Sequence, residues 1–146
     1  MSQPALLDVN VIIALLDAGH GLHRSAMRWL ETEQQHGWVT CPITENGVIR
    51  ILSQPAYPNH RPAPEVAERL AEACAHPSHR FWPNSVSLLQ GNLIRWDRLL
   101  GPRQITDAYL LAMAVAHQGR FVSFDQRIPL AVVPDAQDRH LCLIQG

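Results

Sequence analysis

Four acids stand in or beside apolar runs of this 146-residue chain: Asp8 in "ALLDVNVIIALLDAGH", Glu45 in "WVTCPITENGVIRIL", Asp107 in "ITDAYLLAMAVAHQG" and Asp125 in "RFVSFD". Runs of that kind are expected to be buried, and an ionised carboxylate taken out of water costs several kcal/mol unless donors or a cation meet it. Four converging carboxylates would repel one another, so that one pKa rises or a cation binds. Oxygen ligands without His or Cys partners suit Mg2+ or Mn2+ rather than zinc. A hard divalent ion held by acids supports phosphodiester hydrolysis, because it acidifies water and steadies charge on the phosphate.

Each acid also has an ordinary local explanation. Asp8 could cap the helix that follows, although Asn10 is a good cap and the helix is expected to begin near it. Glu45 follows Thr44 and Asp107 follows Thr106, so both suit a first helical turn, with Thr106 the expected cap. Asp125 could simply close a strand. Only the set of four, each at a strand end or a helix start, argues for a site.

The elements that would place them alternate between strand and helix. "ALLDV" reads as a short buried strand and "VIIALLDAGH" as a short helix. "LHRSAMRWLETEQQHG" puts Leu22, Ala26, Trp29 and Leu30 on one helical stripe that stops at Gly37. "WVTCP" reads as a strand, and "ITENGVIRILSQ" as a helix from Thr44 with Gly47 a weak point. After the loop "YPNHRPAP", Pro64 opens the helix "PEVAERLAEACAH". "HRFWP" could be a third strand, "NLIRWDRLLG" is amphipathic, and "ITDAYLLAMAVAHQG" is the strongest helix, ending at Gly119. "RFVSFD" and "HLCLI" complete the strands. This alternation argues for a single α/β domain over residues 1–146, an α/β/α arrangement around a mostly parallel sheet of about five strands. Ligands of such sheets bind at the carboxyl ends of the strands, where all four acids would lie.

Composition removes several classes of function. All 12 basic residues are arginine, so a phosphate-binding P-loop lysine and a Schiff-base lysine are both absent. A formal net charge of −1 gives no support for a whole-surface nucleic-acid binder. Cys41, Cys74 and Cys142 are odd in number and lack CxxC spacing, which suggests reduced core residues. The pairs His20/His23 and His76/His79 lack a second ligand pair and read as surface histidines, and His117 reads as a helix-end charge. Trp29, Trp82 and Trp96 read as packing residues; Asp17, Asp97, Asp135 and Asp138 read as solvated charges. No leader or membrane-spanning run is visible, so a cytoplasmic protein with no membrane partner is expected.

With these residues in hand, the chain resembles the PIN-domain ribonucleases, specifically the VapC-type toxins of bacterial toxin–antitoxin pairs. "LLDVNVIIALL" is similar to the family's first acidic motif and "CPITENGVIRIL" to its second. "ITDAYLLAMAVAHQGRFVSFD" resembles the third and fourth together, and "SQPAYPNHRP" resembles a loop of one toxin subgroup. The resemblance covers essentially the whole chain. It implies metal-dependent endonucleolytic cleavage of RNA, inhibition of translation, neutralisation by a cognate VapB-type antitoxin, and homodimerisation. Carried over by position, Asp8, Glu45, Asp107 and Asp125 would be the acidic quartet around Mg2+ or Mn2+, and Asn10 and Thr106 would orient ligands or waters. Gln126 and Arg127 follow the fourth acid where many relatives carry another acidic or polar residue. Arg24, Arg28, Arg50, Arg61 and Arg103 could meet RNA phosphates, with Arg61 the first choice for substrate binding. Leu88, Leu93 and Trp96 could serve a dimer interface or the core. Two alternatives use the same residues: a catalytically silent module that binds RNA or protein, and a metal-dependent phosphatase or DNA nuclease.

Overall fold

The computed structural model describes residues 3–146. Five short parallel strands form one sheet: β1 (Ala5–Leu7), β2 (Trp38–Thr40), β3 (His79–Phe81), β4 (Arg120–Ser123) and β5 (Leu141–Leu143), in the order β3-β2-β1-β4-β5. Five helices connect or flank them: α1 (Val9–Leu16), α2 (His23–Glu33), α3 (Pro42–Leu52), α4 (Ala63–Cys74) and α5 (Ile105–Ala116). The chain steps outward from β1 to β2 to β3, then crosses back to lay β4 on the other side of β1. The crevice where strand order reverses therefore lies between β1 and β4, the usual ligand position of an open α/β sheet.

Central strands of a parallel sheet are covered on both faces, so they read as continuous apolar runs. Alternation along β1 and β4 divides the core in two. Leu6 and Phe121 pack with Leu110, Leu111 and Met113 of α5. Leu7 and Val122 pack on the other face with Val11 and Ile12 of α1, Val48 of α3 and Val66 and Leu70 of α4. Each such side chain, fully withdrawn from water, contributes about 1.5–3 kcal/mol.

Several sequence expectations are corrected by local chemistry. Helix α1 begins at Val9, next to the expected Asn10, but its cap is Asp8 and not Asn10: the Asp8 carboxylate accepts the Val9 N–H at 2.8 Å. Helix α3 begins at Pro42, two residues before Thr44, and runs through Gly47 unbroken. The glycine is there for contact: a Cβ at Gly47 would lie 2.7 Å from Val9 Cγ2, so α1 and α3 cross with nothing between them. Gly37, at φ 89°, ends the turn after α2 as expected. "NLIRWDRLLG", amphipathic in sequence, is irregular chain with one 3-10 turn at Trp96–Arg98, and it leaves Trp96 and Leu100 exposed. Leu88 and Leu93 are partly buried against the α5-side core. His117 does not act as a free helix-end charge; its ring stacks on buried Trp82 at 4.3 Å. Asp17 is not simply solvated either, since it accepts hydrogen bonds from Tyr57, Asn59 and the Gly19 amide. Among the described residues, no helix is long and apolar enough to cross a membrane.

Candidate active site

Three of the four acids meet at the β1–β4 crevice. Asp8 follows β1 directly and is 8% exposed. Its backbone N–H donates to the Val122 carbonyl at 2.9 Å, which ties the end of β1 to β4. One carboxylate oxygen accepts the Val9 N–H, and the other accepts the Ser123 hydroxyl at 2.7 Å. Burial is the larger influence and pushes the Asp8 carboxyl above its ordinary value, against these two donors, with the nearby Asp125 charge adding to the rise.

Asp107 lies in the first turn of α5, whose amino end points to the same edge of the sheet. It is half-buried, and its pKa is pushed up to about 7, first by desolvation and then by the charges of Asp8 and Asp125. The Arg127 guanidinium offsets only part of that rise. Asp125 stands two residues beyond β4. Its backbone N–H donates to the Ser123 hydroxyl at 3.0 Å, and its Oδ1 accepts from the backbone N–H and guanidinium of Arg127 at 2.9 and 3.2 Å. Asp107, Asp125, Arg103 and Arg127 open into one cavity of about 310 Å³ with apolar walls at Leu100 and Ile128.

Glu45 approaches the site from the β2 side. It occupies the first turn of α3, as the sequence suggests, but its Oε2 accepts the hydroxyl of buried Thr40 at 2.8 Å. The same hydroxyl stands 2.8 Å from His79 Nε2 on β3, so one Glu45 oxygen is held toward β2 and β3. The His79 ring, held below its ordinary pKa by burial, is favoured as a cation by the Glu45 charge.

The supporting polar residues also shift. Asn10 is exposed in the first turn of α1, its capping role taken by Asp8. Thr106 caps nothing: α5 is entered straight from the 3-10 turn Pro102–Gln104, with Gln104 at the cap position. Arg61 is remote from the acids. It lies in a separate cavity with Leu16 and Leu52, at the far ends of α1 and α3, beside Asp17, Asn59 and Arg69. Sequence reasoning missed Ser123 and Thr40, the hydroxyls that orient Asp8 and Glu45. The available signal was a hydroxyl side chain in each otherwise apolar strand, "RFVS" and "WVT".

Three mutually repelling carboxylates, one of them near neutrality in pKa, have the chemistry to accept a hard cation. Among the described residues, no three His, Cys, Asp or Glu side chains stand close enough to enclose an ion by themselves.

Comparison with known proteins gives the family and the fold. A PIN domain matches residues 5–133. Ribonuclease VapC44 of Mycobacterium tuberculosis is 48% identical over 140 residues, covering 96% of this chain and 99% of that protein. Ribonuclease VapC39 of the same organism is 40% identical over 122 residues, covering 83% and 88%. Among solved structures, M. tuberculosis VapC20, described as a sarcin-ricin loop cleaving toxin, shares the fold with a TM-score of 0.62 at 17% identity, over 90% of this chain and 98% of that one. VapBC2 from Rickettsia felis, solved on a DNA fragment from its promoter, gives a TM-score of 0.57 at 12% identity, over 86% and 93%.

Proposed function

Because the chain belongs to the PIN-domain family, and within it to the VapC-type ribonucleases, we propose that it is a Mg2+- or Mn2+-dependent endoribonuclease toxin. The observation that carries the reading is the meeting of Asp8, Asp107 and Asp125 at the carboxyl ends of β1 and β4, with Asp107 pushed up to about 7 by burial and by the other two. Those three would hold the cation, directly or through its waters. A divalent ion bound there supplies Lewis acidity, neutralising charge on the scissile phosphate and acidifying water.

The chain's own residues do the rest. Ser123 fixes the rotamer of Asp8 and, through the Asp125 backbone, the turn that carries the third acid. Arg127 anchors Asp125. The amino end of α5 presents partial positive charge beside Asp107, which eases the crowding of acids and favours an approaching phosphate. Glu45, tied to Thr40 through one oxygen, completes the acidic edge from the β2 side, where its other oxygen would hold a water of the cation or the attacking water. Attack by water rather than by a ribose 2′-hydroxyl would leave a 5′-phosphate and a 3′-hydroxyl.

Cleavage of RNA needed for translation would make the protein toxic, and a VapB-type antitoxin would be its partner. Homodimerisation and a cytoplasmic location belong to the same reading. The test is cleavage of total RNA with Mg2+, Mn2+ or EDTA, comparing the chain with Asp107→Asn. Metal-dependent cleavage lost in the variant supports the proposal, and cleavage retained in the variant or in EDTA refutes it. Binding of RNA without any cleavage would favour the silent-module alternative.

A further inference from the structure

We propose that a groove formed by Asn46, Arg50, Asn84 and Thr106 holds the single-stranded RNA segment next to the bond that is cut, with Arg50 on a phosphate. The inference rests on the endoribonuclease reading and adds a substrate-holding subsite to it.

The groove measures about 350 Å³, at the low end of ligand-holding cavities. It starts where the acidic site stops: its wall includes Val9, the residue after Asp8, and Thr106, the residue before Asp107. On the other side of Asp107 lies the cavity that also holds Asp125 and Arg103. Asp107 thus stands between two depressions, and a strand laid across it with its phosphate at the acids would enter by one and leave by the other. The floor of the groove is the close crossing of α1 and α3 at Gly47.

The walls carry no acid. Arg50 is exposed and forms no ion pair among the described residues. Asn46, one turn earlier, shares its face of α3 at i, i+4 spacing. An arginine fork binds phosphate through parallel N–H donors. The carboxamides of Asn46 and Asn84 each offer donor and acceptor, which suits base edges and the ribose 2′-hydroxyl of a splayed strand. Val9, Pro42 and Ile43 give the groove an apolar wall beside these polar groups, against which a ribose or base face would pack.

The test is fluorescence anisotropy of a 5′-labelled, mixed-sequence single-stranded RNA 20-mer in EDTA, over a salt series, with cleavage in Mg2+ measured in parallel. Arg50→Ala should weaken binding roughly tenfold and flatten the dependence of log affinity on log salt by about 0.7, one single-strand phosphate contact. Arg50→Lys should keep that slope. Asn46→Ala and Asn84→Ala should weaken binding several-fold and leave the slope unchanged. Arg139→Ala, in the turn that leads into β5 at the opposite edge of the sheet, should change neither. Wild-type affinity and slope in Arg50→Ala, an equal loss in Arg139→Ala, or no RNA binding by the wild-type chain would overturn the proposal. Cleavage that persists with unaltered KM in the groove variants removes the groove and leaves the endoribonuclease. Groove-dependent binding with no cleavage in Mg2+ does the reverse.

Discussion

Replacing Asp107 by Asn should make the metal-free protein more stable, and only where the wild-type carboxylate is ionised. In the fold, Asp107 titrates at about 7 against an ordinary value of 3.8. Between those values the folded chain holds a proton that the unfolded chain has released, so stability falls as pH rises across that window. The gap corresponds to about 4 kcal/mol at 1.36 kcal/mol per pKa unit, and solvent screening of a half-buried group reduces it to about 1–2 kcal/mol. For a domain of this size, that is a melting temperature higher by roughly 3–6 °C in the variant at pH 8.5 with EDTA. At pH 5 the gain is smaller, because part of the folded wild type is then protonated at that position. Differential scanning calorimetry at the two pH values reads both gains. An unchanged or lower melting temperature at pH 8.5, or a gain of the same size at pH 5, would refute the placement of Asp107 in a desolvated site with Asp8 and Asp125.

Other perturbations probe separate parts of the account. Ser123→Ala removes the hydroxyl bonded to Asp8 and should weaken Mg2+ binding about 10–100-fold, as loss of an outer-shell partner does, by isothermal titration. Glu45→Gln should change Mg2+ affinity less than about threefold in the same assay, since one Glu45 oxygen is committed to Thr40 and the other would act through water; a loss as large as that of Asp107→Asn would make Glu45 a direct ligand. Gly47→Ala should destabilise the fold by about 1–3 kcal/mol in urea denaturation. The new methyl would meet Val9 Cγ2 at 2.7 Å, and that clash exceeds the gain of about 1 kcal/mol in helix propensity.

The sheet and its five strands were legible because burial on both faces writes itself as runs such as "ALL" and "RFVS" between helical stripes. Three acids were legible for the same reason: each sits where a strand ends or a helix begins, and the parallel topology sends those points to one edge. Side-chain direction was not legible. Nothing in "TENG" says that Glu45 turns toward Thr40, because that choice depends on a hydroxyl and a histidine supplied by two neighbouring strands. Helix starts were misjudged where the backbone did without the expected cap: Asp8 displaced Asn10, and a 3-10 turn delivered α5 without help from Thr106. Arg61 looked suitable because a Pro-rich loop exposes it, but the lengths of α1 and α3 carry that loop to the far edge of the sheet.

The most direct test of the central claim is titration of Mg2+ and Mn2+ into the antitoxin-free protein and its Asp8→Asn variant, with RNA cleavage followed in the same samples. The account predicts binding and cleavage in the wild type and the loss of both in the variant, whose fold should persist because Asn caps α1 as well as Asp does. Equal ion binding by the two proteins, or cleavage that survives in the variant, would contradict it and leave Asp8 only the cap of α1.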